Sequence, residues 1–269
     1  MQKNLEFTDR LRLIDERLIA FRAAIASAPD LDVRVPTCPE WTLFDLAQHM
    51  SQSRRFWAAT IAAGPDAAAP PAEAVAERAV AAPRDREALL AWLASSAQLQ
   101  LDALREAGPD RGCWTWWGTS QSPQNCGAIA RHQLQEVSVH TYDAQLTLGA
   151  AEPLPEEVAL DGVEDFLSTC CATTSPWPHQ STAFDFHAAE GRSWRLTTDG
   201  DGARYSRLPA SGAASATVSS EGHDAPGTSV YGTASELVLF NYDRLPLDSM
   251  RVDGDKGLWD LLRAWEPGA

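Results

Sequence analysis

Two residues four positions apart carry the strongest chemical suggestion in this chain. They are Glu136 and His140, within PQNCGAIARHQLQEVSVHTYDAQLTLG (123–149). The stretch reads as one long helix. Pro123 suits its first turn, where a missing N–H costs nothing. Gly149 suits its end, where a residue without Cβ takes the left-handed conformation. Ala130, Leu134, Val137, Thr141 and Leu148 recur at three- or four-residue steps as a mostly apolar stripe. His132, Glu136, His140 and Asp143 recur on another face. Side chains four apart sit one turn apart and point the same way, so Glu136 and His140 can converge on one small object. Carboxylate oxygen and imidazole nitrogen are common ligands of divalent zinc, iron or nickel. The plainer alternative is a solvated hydrogen bond along the helix, and a metal would need a third ligand from elsewhere.

The elements that must position this pair read as helices. Residues 7 to 26 keep Phe7, Leu11, Ile14, Leu18, Phe21 and Ile25 at three/four spacing, a bundle seam. After a loop bracketed by Pro29 and Pro36 comes VPTCPEWTLFDLAQHM (35–50). Thr42 with Asp45 three residues on is a capping-box pattern and predicts a helix over 43–62. Leu46, His49, Ser53 and Phe56 share one side of it. His49 therefore looks inward, either as a core histidine satisfied by its neighbours or as a ligand. Residues 64–83 are rich in Ala and Pro and read as an exposed crossover with a short helical piece. A third helix spans 85–107 and ends at Gly108 and Pro109. In CWTWWGTSQSPQN (113–125), Trp114, Trp116 and Trp117 either close one end of a bundle or wall a substrate pocket. Four helices with a long connection between the second and third make a four-helix bundle, a fold that builds metal sites from inward side chains.

Beyond Gly149 the pattern changes. VALDGVEDFLSTCCA (158–172) predicts a helix linking two domains. From about 182 the period becomes two: Phe184 and Phe186 alternate with Asp185 and His187, and Trp194 and Leu196 alternate likewise. Asp199-Gly200-Asp201-Gly202 is a turn signal. ARYSRL (203–208) and SATVSS (215–220) read as further strands. GTASELVLFNYDR (232–244) reads as a helix capped by Thr233, SMRVDG as a short strand, and DKGLWDLLRAW (255–265) as a last helix. The fold class is thus α+β with two domains: a four-helix bundle over 1–150, a connecting helix and linker over 151–180, and a small α+β domain with an antiparallel sheet over 181–269.

Composition excludes several classes. The 269 residues suffice for a sizeable core, with 44% hydrophobic and 22% charged residues. A net charge of −15 argues against nucleic acid and against an anionic membrane surface. The charged start MQKNLEFTDRLRLIDERL carries no signal-peptide core, and no stretch approaches the run of about 20 apolar residues that spans a bilayer. Five cysteines, an odd number with no C-x-x-C pair, suggest a reduced cytoplasmic protein without a disulfide framework. A monomer is expected. Dinucleotide-binding, Walker A, H-E-x-x-H and nucleophile-elbow motifs are missing.

The motifs VPTCPEWTLFDLAQHM (35–50), WTWWG (114–118) and RHQLQEVSVHTYDA (131–144) resemble the mycothiol-dependent maleylpyruvate isomerase family, within the DinB-like metal-binding bundles. SWRLTTDGDG (193–202) and GTASELVLFNYDRLPLDSMRVDGD (232–255) are similar to that family's small second domain, so the resemblance covers nearly the whole chain. It implies a metal held by His49, Glu136 and His140, with open positions as in a catalytic zinc site. It implies a divalent metal, expected to be zinc, and mycothiol or a similar low-molecular-weight thiol as cosubstrate. The metal-bound thiolate would attack a small electrophile, for isomerisation or S-transfer. Many members carry His before the Glu, where this chain has Gln135. His132 stands where members commonly have Arg and could join as an outer partner or alternative ligand, and Asp143 could bond a ligand histidine. Arg244, Trp116 and Trp117 are the candidate substrate-binding residues, Arg244 for a carboxylate or else as a surface charge. The rival readings are a metal-dependent hydrolase that activates water on the same bundle, and a non-catalytic metal- or ligand-binding module.

Overall fold

The computed structural model describes residues 4–67, 69–209 and 225–265. The chain divides into two compact units. One holds the described residues up to Trp116 together with Pro123–Leu154; the other holds Trp117–Ser122 and the described residues from Pro155 onward.

The first unit contains α1 (Phe7–Ser27), a small hairpin of β1 (Arg34–Val35) and β2 (Cys38–Thr42), then α2 (Leu43–Ala63), α3 (Ala72–Arg78), α4 (Arg86–Ala107) and α5 (Cys126–Thr147). The four long helices form the bundle, with α1 packed on α5 and α2 on α4. The predicted seam of α1 is buried at Leu11, Ile14, Leu18, Phe21 and Ile25. The apolar stripe of α5 is buried at Ala130, Leu134, Val137 and Thr141. Burying such side chains stabilises by about 1.5–3 kcal/mol each for the larger aliphatic ones. The capping box that starts α2 is present: Thr42 N donates to Asp45 Oδ2 at 2.9 Å, and Asp45 N to Thr42 Oγ1 at 3.2 Å. These bonds to Thr42 hold the Asp45 carboxyl below its usual range.

The start of α5 differs from expectation. Pro123 lies outside the helix, and Asn125 caps it by accepting from Ala128 N at 2.9 Å. The reason is local: Asn125 is extended and forms an antiparallel bridge with Gly112, so the helix begins only at Cys126. The end of α5 follows expectation. Gly149 has φ +70°, and Ala150 N and Gly149 N donate back to Gln145 O and Leu146 O, the paired bonds of a left-handed helix stop. The crossover carries the short helix α3, and α4 ends at Gly108 with φ +72°. The hairpin β1–β2 escapes sequence reading because Pro36 and Pro39 interrupt two very short strands.

The second unit opens with α6 (Glu156–Asp165), which runs into a π-helical turn (Phe166–Cys171) and packs on a later helix of the same unit. The strands are β3 (Thr182–Ala188), β4 (Ser193–Asp199), β5 (Gly202–Arg207), β6 (Thr228–Gly232) and β7 (Arg251–Gly254), ordered β5-β4-β3-β6-β7. Helices α7 (Ala234–Asn241) and α8 (Gly257–Ala264) complete it. The antiparallel expectation holds for β3–β4 and β4–β5; β6, a strand not read from the sequence, pairs antiparallel with β7 but parallel with β3, so the sheet is mixed. The alternation of β4 is realised, with Trp194 and Leu196 buried. Trp259 of α8 lies 5.2 to 5.3 Å from the rings of Phe184, Phe186 and Phe240 and centres the core. Gly202 is required at its place: a Cβ there would stand 2.0 Å from Thr173 O. The stretch 215–220 read as a strand lies outside the described residues.

Candidate metal centre

Three side chains of the bundle converge. Donor atoms of His49 on α2 and of Glu136 and His140 on α5 all lie within 4.8 Å of one another, the group among the described residues able to hold a metal ion. His49 Nε2 is 3.3 Å from Glu136 Oε1, and the two imidazole centroids are 5.1 Å apart. His49 is 37% exposed in its side chain, which separates it from a sealed core histidine. It reaches this place because the capping box fixes the start of α2 two turns earlier.

Two of the donors are oriented from behind by hydrogen bonds. His140 Nδ1 lies 2.9 Å from Asp143 Oδ2, one turn on along α5. A carboxylate there accepts a hydrogen bond from Nδ1–H and leaves the Nε2 lone pair for a cation. Asp143 is fully buried and accepts in turn from Thr37 Oγ1 at 2.6 Å. Burial keeps the His140 imidazole below its usual range, although the bond to Asp143 opposes this. A neutral imidazole is the form that binds metal.

Glu136 is held at both oxygens. Ser53 Oγ donates to Oε1 at 2.9 Å and Gln133 Nε2 to Oε2 at 2.6 Å. Gln133 is fixed from the other side, since its Oε1 accepts from buried Arg54 at 2.6 Å and from Gln100 at 2.8 Å. The Arg54 guanidinium stands 3.7 Å from Glu136 Oε2. Burial would raise the Glu136 carboxyl, but the bond from His49, the Arg54 charge and the two imidazoles outweigh it and hold it well below the usual range. Glu136 is therefore an anion at neutral pH. Two imidazoles and one carboxylate, with Glu136 and His140 pinned from behind, suit a divalent zinc-type cation.

Beside the triad lies a cavity of about 290 Å³. His49, Ser53 and Glu136 face it, with Trp57, Trp116, Arg78 and His132 on its walls. His132 thus borders the space without joining the donor group, and Trp116 stands edge-on to it at 5.6 Å. Trp41 of β2 covers His49 at 4.7 Å between ring centroids. Trp114 stacks on Trp57 at 6.3 Å, a packing role. Trp117 is 2% exposed and counted with the second unit. Arg244 follows α7 in that unit, where its Nη1 donates to Tyr242 O at 2.7 Å. Thr37, Trp41, Arg54, Gln100 and Gln133 were not singled out from sequence. Of these, only Gln133 carried a usable signal, being three residues before Glu136 on the same helix.

Comparison with known proteins now bears on this arrangement. The model for the mycothiol maleylpyruvate isomerase N-terminal domain matches residues 11–145, and that for the MDMPI C-terminal domain matches residues 157–261. The chain belongs to the mycothiol maleylpyruvate isomerase family. Two solved structures share its fold. A histidine-to-alanine mutant of the mycothiol-dependent maleylpyruvate isomerase is 14% identical with a TM-score of 0.58, covering 94% of this chain and 96% of that one. A second structure, of the mycothiol-dependent maleylpyruvate isomerase, is 14% identical with a TM-score of 0.53, covering 89% of this chain and 91% of that one. No curated protein gives a significant match. Among the described residues, no helix of this family member is long and apolar enough to cross a membrane.

Proposed function

We propose that this protein is a metal-dependent enzyme that uses a mycothiol-like thiol to isomerise, or to transfer sulfur onto, a small electrophilic substrate. The observation that carries the proposal is the convergence of His49, Glu136 and His140 beside an open cavity. Family membership supports the thiol. A divalent cation held by this triad, expected to be zinc, would lower the pKa of a thiol on its open side.

The chain's own residues supply the rest. Asp143 keeps the His140 Nδ1 proton and so presents Nε2. Ser53 and Gln133 hold the two oxygens of Glu136 so that neither rotates away. Trp41 packs on His49 and limits its swing. Trp57 and Trp116 give the cavity apolar walls that shed water and suit an unsaturated substrate. Among the substrate-binding candidates, Trp116 gains support from its place on this wall. Trp117 is buried, which favours packing over contact with substrate. Arg244 stays the candidate for a substrate carboxylate, on the family pattern. We take the protein to act as a reduced, cytoplasmic monomer, its redox state suggested by an odd number of cysteines without a C-x-x-C pair.

Elemental analysis of the purified protein followed by a thiol-dependent assay tests the proposal. Cis–trans conversion or thiol consumption should require both metal and thiol. Turnover that persists with every thiol removed would instead make this a hydrolase that activates water. A protein that cannot take up zinc would end the proposal.

A further inference from the structure

Two cysteines of the first unit that the metal centre does not use lie against each other. Cys113 and Cys126 are buried, and their Sγ atoms are 3.8 Å apart. The pairing is built by the backbone. Gly112 bridges Asn125, Cys113 N donates to Gln124 O at 3.3 Å, and Cys126 N donates to Arg111 O at 2.9 Å. Cys126 is also the first residue of α5, at the positive end of the helix dipole, which favours a thiolate. The two sulfurs are not equivalent. The hydrogen bond from Cys113, helped by the Arg111 charge, lowers the Cys126 thiol against the effect of burial. The same bond, then burial, raises the Cys113 thiol. One sulfur is thereby prepared to attack and the other to wait as a thiol, the division that thiol–disulfide exchange uses.

We propose that Cys113 and Cys126 form a redox-active dithiol whose substrates are small-molecule disulfides and whose oxidised form is an intramolecular disulfide. The inference does not rest on the metal reading. The Cys126 thiolate attacks one sulfur of the small disulfide; the S–S bond breaks and one thiolate leaves. Cys113 then gives up its proton to that leaving thiolate and attacks Sγ of Cys126, expelling the second small thiolate, which takes up from solvent the proton that Cys126 released on ionising. Two protein thiols are oxidised to one disulfide, and one small disulfide is reduced to two thiols. The new bond ties the segment bearing Trp114 and Trp116 to the start of the helix bearing Glu136 and His140. The redox state of the pair therefore reaches one wall of the cavity.

The test equilibrates the intact protein in glutathione buffers of rising oxidised share, because two buried thiols call for an equilibrium rather than a rate. After acid quench, remaining thiols are alkylated under denaturing conditions and mapped by mass spectrometry. Of the five free thiols, the pair should disappear together, with one peptide pair joined through Cys113 and Cys126. In Cys113→Ala, Cys126 should instead accumulate one glutathione as a mixed disulfide, since no neighbour displaces it. The proposal is overturned if both thiols stay alkylatable in the most oxidising buffer, or if the bond formed there involves Cys38, Cys170 or Cys171. The mapping of the unsubstituted protein decides the matter even where the variant does not fold.

Discussion

Each unit buries a carboxylate beside an arginine, and the two solve that problem differently. In the sheet, Asp185 and Arg195 stand directly opposite across β3 and β4 and satisfy each other with two bonds of 2.7 and 2.8 Å. Both oxygens of Asp185 are taken up by that one partner. In the bundle, Arg54 reaches Gln133 at 2.6 Å and stays 3.7 Å from Glu136. Its charge sustains the Glu136 anion while one oxygen of that anion keeps facing His49 and the cavity. A closed pair is a structural solution. An anion held ionised but not consumed is what a binding site needs.

The comparison can be broken most decisively at His49. His49→Ala should lower zinc affinity by more than the roughly 10- to 100-fold that loss of an outer hydrogen-bond partner costs. Zinc content by elemental analysis checks this, with circular dichroism unchanged because the side chain is partly exposed. Equal zinc in both proteins would make the open constellation merely structural. Arg195→Ala is the mirror experiment. It strands the buried Asp185 carboxylate and should cost about 3–5 kcal/mol in urea unfolding, with the zinc content of the folded protein unchanged. Asp143→Asn should weaken zinc about 10- to 100-fold, measured by competition with a chelator, because the histidine loses the anion that fixes its tautomer. Thr42→Ala should cost about 1 kcal/mol through loss of the α2 cap, with metal capacity kept.

The smallest effect is a pH slope. Burial holds the folded His140 below its usual value, so between the lowered folded value and about 6.5 the unfolded chain binds a proton that the folded chain resists. This stability is complete above about pH 6.5 and is lost as pH falls toward the lowered folded value. In the metal-free protein, Tm should fall more steeply on acidification than in His140→Asn. Identical slopes would show that His140 is not held neutral by its surroundings.

Much of the helical scaffold was legible, because its cause is periodic and local. The seam of α1, the capping boxes at Thr42 and Thr233, and the stops at Gly108 and Gly149 each follow from neighbouring residues. Strand β6 was not legible. It sits between β3 and β7 with Thr228, Ser229 and Val230 all buried, and a strand covered on both faces shows no alternation. The start of α5 was misplaced at Pro123 because the bridge that delays it runs to Gly112, across the connecting loop.

The candidate site divides along the same line. Glu136 and His140 were visible as a pair because one helix places them one turn apart. Sequence alone therefore determined the bundle, the turn chemistry and two of the donors, and its resemblance to the family added His49 as the third. Only the tertiary structure decided the rest: that His49 meets them, that Thr37 and Asp143 lock His140, that Arg54 works through Gln133, and that Cys113 touches Cys126. These contacts join residues far apart in the chain, and their geometry depends on how helices pack rather than on any local preference.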